Sequence, residues 1–221
     1  FVIHDDKFQE VYISLKIMIP LEQRKNSVAN ILARMMGDRL ESNPTKASIT
    51  QRLDLMYGAK SGSSTYSVGS YQVIDLAIQA IHKDFVDENL LEGQLEFLKD
   101  SLYHPLLNEN TFQEAKNNFI MSHHHVLENP SHHALVEGFK RAGKGQVFAL
   151  NASGELNDLK DITLDDVIAL HHEMIHQSHK EITVVGRVED VVDFSMFEVG
   201  ASEDLVNPLV QTQIAGAYEE E

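Results

Sequence analysis

The 221 residues contain no cysteine. That removes disulfide frameworks and thiolate metal sites from consideration, and it suits the cytoplasm. Basic residues are scarce: 18 Lys plus Arg stand against 34 Asp plus Glu, for a net charge of −16. Phosphate binding needs a basic stripe, so no nucleic-acid partner is expected, and the acidity suits cationic or neutral peptides. No stretch approaches the roughly 18 to 20 consecutive apolar residues of a membrane span, so no membrane partner is expected either. Three motifs are missing as well: G-x-S-x-G, the phosphate-cradling G-x-x-x-x-G-K-[ST], and G-x-G-x-x-G. Nucleophilic hydrolase, NTPase and dinucleotide enzyme are therefore without support. With 43% hydrophobic and 24% charged residues, the chain can bury one large core.

Periodicity predicts a mixed architecture. Val11 to Ile19 is rich in strand formers and ends at Pro20, with a short strand expected over residues 1–4. A helix is predicted over about 26–40, and Ser48-Ile49-Thr50-Gln51 reads as a capping box opening a second helix that stops near Gly58. Lys60 to Val68 and Val73 to Ile78 read as a hairpin around Gly69-Ser70. Helices follow at about 89–102, 111–128 (opened by Thr111-x-x-Glu114) and 131–142, then an irregular stretch to Asp161. Thr163-x-x-Asp166 opens a last helix to about 177, and Ile182 to Val185 form a closing strand. The class expected is α+β, a mostly antiparallel sheet with helices packed on one face. Residues 1–190 are expected to form a single domain, and 191–221 an acidic linker or tail leading toward a second half outside this chain.

The helix Ser27-Val28-Ala29-Asn30-Ile31-Leu32-Ala33-Arg34-Met35-Met36 is the most informative segment. Val28, Ile31, Leu32, Met35 and Met36 make one buried stripe, and Asn30, Ala33 and Arg34 share the opposite face. In context this segment resembles the metal helix of the insulinase/pitrilysin family, inverted zincins with the motif H-x-x-E-H. Other segments carry the same resemblance in order. Leu55-Met56-Tyr57-Gly58 precedes a Ser-rich strand, Phe112 and Glu114 begin a helix that Asn129-Pro130 closes, and Asp161 to Asp166 lead to Val184-Val185-Gly186. The similarity spans about residues 8–190. It implies the amino-terminal half of a two-halved, clamshell-like subunit akin to mitochondrial processing peptidase.

The resemblance also implies what is missing. The two His positions read Asn30 and Arg34, the Glu position reads Ala33, and the third ligand position reads Ser122 or, one residue on, His123. Asn offers a poor amide oxygen, Arg a permanent cation, and Ala no base. No catalytic and no metal-binding residue is therefore assigned, and no cofactor is expected. In active members peptides add to the edge strand beside the zinc, which here contains Ser63, Ser64, Thr65 and Tyr66. These are the expected peptide-binding residues, since main-chain pairing needs no metal. The expected role is a catalytically degenerate zinc-peptidase homologue, a peptide-binding or supporting subunit. Its implied partners are its own second half or a catalytically competent family member.

A second motif points elsewhere. His172-Glu173-Met174-Ile175-His176 spells H-E-x-x-H, the zincin signature, with two imidazoles at i, i+4 and a Glu ready as base. Taken alone it makes the chain an active zinc metallopeptidase, as would a site completed outside this chain. The context is against it: the strand at Ile182 begins too soon for a third downstream ligand. The stripe Leu164, Val167, Ile168, His171, Met174 and Ile175 is expected to pack inward, leaving His172, Glu173 and His176 lateral or exposed. His123 is expected to be partly buried beside Phe112, Ala115, Phe119, Val126 and Leu127.

Overall fold

The structure, a computed structural model, describes residues 1–127, 129–188 and 192–197. One sheet holds β1 (Val2–His4), β2 (Glu10–Pro20), β3 (Lys60–Val68), β4 (Tyr71–Ile81) and β5 (His179–Gly186), in the order β1-β5-β2-β4-β3. β1 runs parallel to β5, and every other pair of neighbours is antiparallel. Val11, Ile13, Leu15, Ile17 and Ile19 of β2 are all buried and stand opposite Ala80, Ile78, Leu76, Ile74 and Gln72 of β4. These residues form the helix-bearing face because successive side chains in a strand alternate sides. The α+β class is as expected.

The helices are α1 (Lys25–Met36), α2 (Lys46–Asp54), α3 (Leu91–Tyr103), α4 (Glu109–Leu127), α5 (Pro130–Ala142) and α6 (Leu164–Gln177). α1 is central, touching β3, β4, α4 and α6. Ten of its twelve residues are buried. The helix is thus enclosed over most of its surface, with Lys25 and Arg34 its part-buried residues. No helix among the described residues is long and apolar enough to cross a membrane.

Several local expectations are corrected. α2 is capped one turn earlier than Ser48-x-x-Gln51 suggests: Thr45 is the N-cap, and it exchanges hydrogen bonds with Ser48 in a capping box. α4 is opened by Asn108, whose side chain accepts from the Thr111 N–H while Thr111 Oγ1 accepts from the Asn108 N–H. Glu114 is thereby free of capping, and it pairs with Arg39 and Lys46, tying α4 to α2 and the α1–α2 connection. In α6 the inward stripe uses Val167, Leu170 and Met174, whereas Ile168 is 42% exposed. Ion pairs from Arg24 to Asp166 and Lys25 to Glu173 join that side of α6 to the start of α1. The helix predicted to reach residue 40 ends at Met36. Apart from 192–197, the expected acidic tail lies outside the described residues.

Before β3 the chain turns through two left-handed residues, Tyr57 (φ 56°) and Gly58 (φ 74°). The N–H groups of Gly58 and Ala59 both bond the Leu53 carbonyl, closing α2 and aiming the chain into the edge strand.

The Lys46 and Arg39 contacts hold the Glu114 carboxyl below its ordinary value, Lys46 being the stronger influence. A depressed carboxyl contributes stability above its unfolded pKa, about 4.3, and that contribution is lost as pH falls through the folded value. Urea denaturation between pH 3 and 6 is expected to show a shallower acid-side loss of stability for Glu114→Gln than for the parent chain. Parallel acid limbs would show that these pairs are worth nothing.

Candidate functional site

Asn26, Asn30 and Arg34 recur every fourth residue along α1, so they form one polar stripe. Each is used. Asn26 Nδ2 donates to the Asn151 carbonyl at 3.1 Å. Asn30 Nδ2 donates to the Asn26 and Ala152 carbonyls, both at 2.8 Å, and Asn30 Oδ1 accepts from Thr65 Oγ1 at 2.6 Å. One turn further, Arg34 Nη2 donates to Ser122 Oγ of α4 at 2.9 Å. Ser27, beside the stripe, donates to Asp158 at 2.5 Å and accepts from the Glu155 N–H at 2.9 Å. The segment 151–158 is thereby fastened across the helix.

Above this stripe lies a cavity of about 360 Å³. Its floor is Asn30, Arg34, Thr65, Ser122 and His123; its far wall is α5, through His133, Val136, Glu137 and Lys140, and the 151–157 segment. The structure therefore brings together the positions read as Asn30, Arg34 and Ser122 or His123, along with Thr65 of the edge strand. Ala33 is not among the lining residues and is buried in the core.

Zinc does not fit this donor set. Both N–H groups of the Asn30 amide and its oxygen are engaged in hydrogen bonds. Arg34 is a cation, and Ser122 Oγ, which accepts from it, donates to the Phe119 carbonyl at 2.9 Å. His123 stacks on Phe119 with centroids 4.4 Å apart, and its Nε2–H donates to the Gly154 carbonyl at 3.0 Å. The only other imidazole among the described lining residues is His133 on the far wall, and two imidazoles with a hydroxyl-and-guanidinium floor make no tetrahedral set. Among the described residues no group of three or more His, Asp or Glu side chains could hold a metal.

Arg34 is the charge that stands out. Burial pushes its guanidinium below the ordinary arginine value, yet arginine remains a cation. Its Nε is buried without a hydrogen-bond partner among the described residues. The other cation lining the cavity, Lys140, is paired at 2.9 Å with Glu155 and at 3.8 Å with Glu137.

The H-E-x-x-H segment lies on α6. His172 and His176 are exposed and meet edge to face at 4.6 Å. Glu173, which would have to act as base, is held by Lys25 Nζ at 2.7 Å. The neighbouring His171 is half-buried, donating from Nε2 to the Leu102 carbonyl at 2.7 Å, and burial pushes it below the usual histidine value. This motif does not reach the cavity.

The four edge-strand residues divide between the faces of the sheet. Ser63 and Thr65 stand opposite Leu76 and Ile74 on the helix side, while Ser64 and Tyr66 stand opposite Asp75 and Val73 on the other. Thr65 reaches the cavity. Ser63 instead packs against the end of α1, where a Cβ on Gly37 would come within 2.6 Å of its hydroxyl. Sequence reasoning missed the wall formed by α5 and 151–157. The signal for it was only the length of the irregular stretch after Ala142, since long connections without regular structure tend to be functional.

No family model matches the sequence. The probable inactive metalloprotease YmfF of Bacillus subtilis (strain 168) is 22% identical over 195 residues, covering 85% of this chain and 46% of its own length. A conserved protein from Enterococcus faecalis V583 shares the fold with a TM-score of 0.78 at 19% identity, over 86% of this chain and 46% of its own. So does a peptidase M16 inactive domain from Pseudomonas fluorescens, with a TM-score of 0.66 at 17% identity, over 85% of this chain and 44% of its own. A protease from Helicobacter pylori matches at 0.72 with 14% identity, over 94% of this chain and 50% of its own. The chain spans about half the length of the proteins it matches. The resemblance to insulinase/pitrilysin-type peptidases is thus shown, and the fold is that of their domains.

Two outcomes follow from this geometry. Asn30→Ala, which orphans the Ala152 carbonyl and Thr65 hydroxyl, is expected to cost about 1–3 kcal/mol in chemical denaturation, while zinc titration calorimetry shows no tight site to lose in the parent chain. A tight site abolished by that substitution would contradict the donor analysis. His172→Ala combined with His176→Ala is expected to leave stability within about 0.5 kcal/mol, removing at most a weak metal affinity of two exposed imidazoles.

Proposed function

We propose that this degenerate insulinase/pitrilysin-type domain holds an extended peptide along the outer edge of β3, as part of a longer subunit that works beside a catalytically competent partner in the cytoplasm. The observation that carries the reading is β3 itself. It is the last strand of the sheet, nothing among the described residues pairs with its outer side, and it borders the cavity that replaces the metal site. An open strand edge offers alternating N–H and C=O groups that an extended segment satisfies by β-augmentation, independently of any metal. The resemblance supports this placement, since active members seat peptides on the matching strand. The half-length coverage of the relatives supports a second half contributing the opposite wall of a chamber.

The test is direct. Extended ten-residue peptides are expected to bind without being cleaved, to slow amide exchange within Lys60–Val68, and to lose binding when alternate peptide nitrogens are methylated. Binding indifferent to methylation would place the ligand elsewhere. Cleavage that disappears in His172→Ala with His176→Ala would make the chain an active zinc peptidase instead.

A further inference from the structure

The cavity beside Thr65 is lined by a cation, Arg34, that makes no ion pair among the described residues. Among the charged side chains lining it, Lys140 is matched by Glu155 and Glu137, whereas Arg34 has no carboxylate within ion-pair distance among the described residues. A guanidinium offers five N–H donors. Arg34, half-buried as a whole, places one on Ser122 and leaves its buried Nε–H without a partner among the described residues. An unpaired, partly desolvated cation is costly unless a ligand completes it. A cationic peptide side chain would meet repulsion here, whatever the overall charge of −16 favours at long range.

Beside this cavity lies a second one, of about 280 Å³, sharing Val136, Lys140 and Asn151 with the first and lined also by Ser67, Gly69, Phe139, Ala149 and Leu150. Phe139 is 54% exposed there. Thr65 and Ser67 stand on the same face of β3, two residues apart, so the two cavities are met at successive same-side positions of the strand, about 6.6–7 Å apart.

We propose that the Arg34 cavity binds a carboxylate, and that a peptide added to β3 is selected for an acidic side chain at Thr65 and an apolar one two residues away. This rests on the β3 reading given above. The ligand class is a carboxylate because a single unpaired guanidinium matches one planar monoanion through its fork of donors. A phosphate dianion would carry a second charge, and no second unpaired Lys or Arg lies among the described lining residues.

The probes are fluorescein-labelled ten-residue peptides carrying Glu-x-Leu or Leu-x-Glu in a neutral background, read by anisotropy with the full chain at 0.15 M NaCl. In one of the two orders, Glu→Gln in the peptide is expected to weaken binding about tenfold or more, and Leu→Ala to weaken it as well. Arg34→Met is expected to abolish the Glu-over-Gln preference while leaving the Gln peptide bound as before, with Arg34→Gln as a second variant should Met disturb the wall. Equal binding of Glu and Gln peptides, or tighter binding of a phosphoserine peptide, overturns the carboxylate assignment while the β3 reading stands. If no peptide binds, the β3 reading falls and the selected-peptide part with it. The carboxylate site is then decided by the Arg34 Nε–H resonance: a shift with N-acetylglutamate methylamide and none with its glutamine counterpart supports it, and no difference between the two overturns it.

Discussion

One side-chain amide holds three separate pieces of chain together. Asn30, on the buried central helix, joins the carbonyl of Ala152, the carbonyl of Asn26 one turn back, and the hydroxyl of Thr65 on the edge strand. The Asn26 bond is buried and the other two are part-buried, so losing the amide would leave polar atoms unmet away from bulk water. The segment 151–154 has little apolar surface of its own to anchor it. It is positioned by polar contacts to α1 through Asn26, Ser27 and Asn30. Because that segment and α5 together wall the cavity, the shape of the site depends on the same network.

The substitutions at the metal positions therefore amount to more than a loss of ligands. A zinc helix presents imidazoles that need free lone pairs; here the corresponding side chains have become donors to carbonyls and a hydroxyl. The helix keeps its place against the sheet and α4, but its polar face works as a structural seam for two turns and exposes a cation at the third. Arg34 lies over the Phe119 ring at 6.0 Å, a distance at which the π-face offers only partial compensation for desolvation. The outer side of the edge strand beside it has no pairing partner among the described residues.

The second motif illustrates how spacing can mislead. His172 and His176 do lie one turn apart on a helix, as the sequence required, yet the intervening Glu173 is occupied by Lys25 and the motif's face looks away from the cavity. An i, i+4 pattern specifies two neighbouring side chains and nothing about a third ligand from elsewhere in the fold.

Much of the fold was legible from local pattern. Alternation in β2 and β4, the polar strand at Lys60–Val68, the 3.6-residue period of α1 and the Thr163–Asp166 cap are short-range features, and each is found, α1 ending about a turn sooner than its pattern predicts. Caps shifted by a turn, at Thr45 and Asn108, because several Ser, Thr and Asn residues competed for one role and only the packed helix end selects among them. That Asn30, Ala33, Arg34 and Ser122 offer a poor zinc-ligand set follows from residue type alone. What the sequence could not supply was the fastening of 151–158 across α1's polar face, the wall from α5 and 151–157, and the placing of Arg34 where it makes no ion pair among the described residues. Those depend on contacts between residues roughly 90 to 120 positions apart, whose partners are chosen by the way helices stack on the sheet, and no local periodicity records that choice.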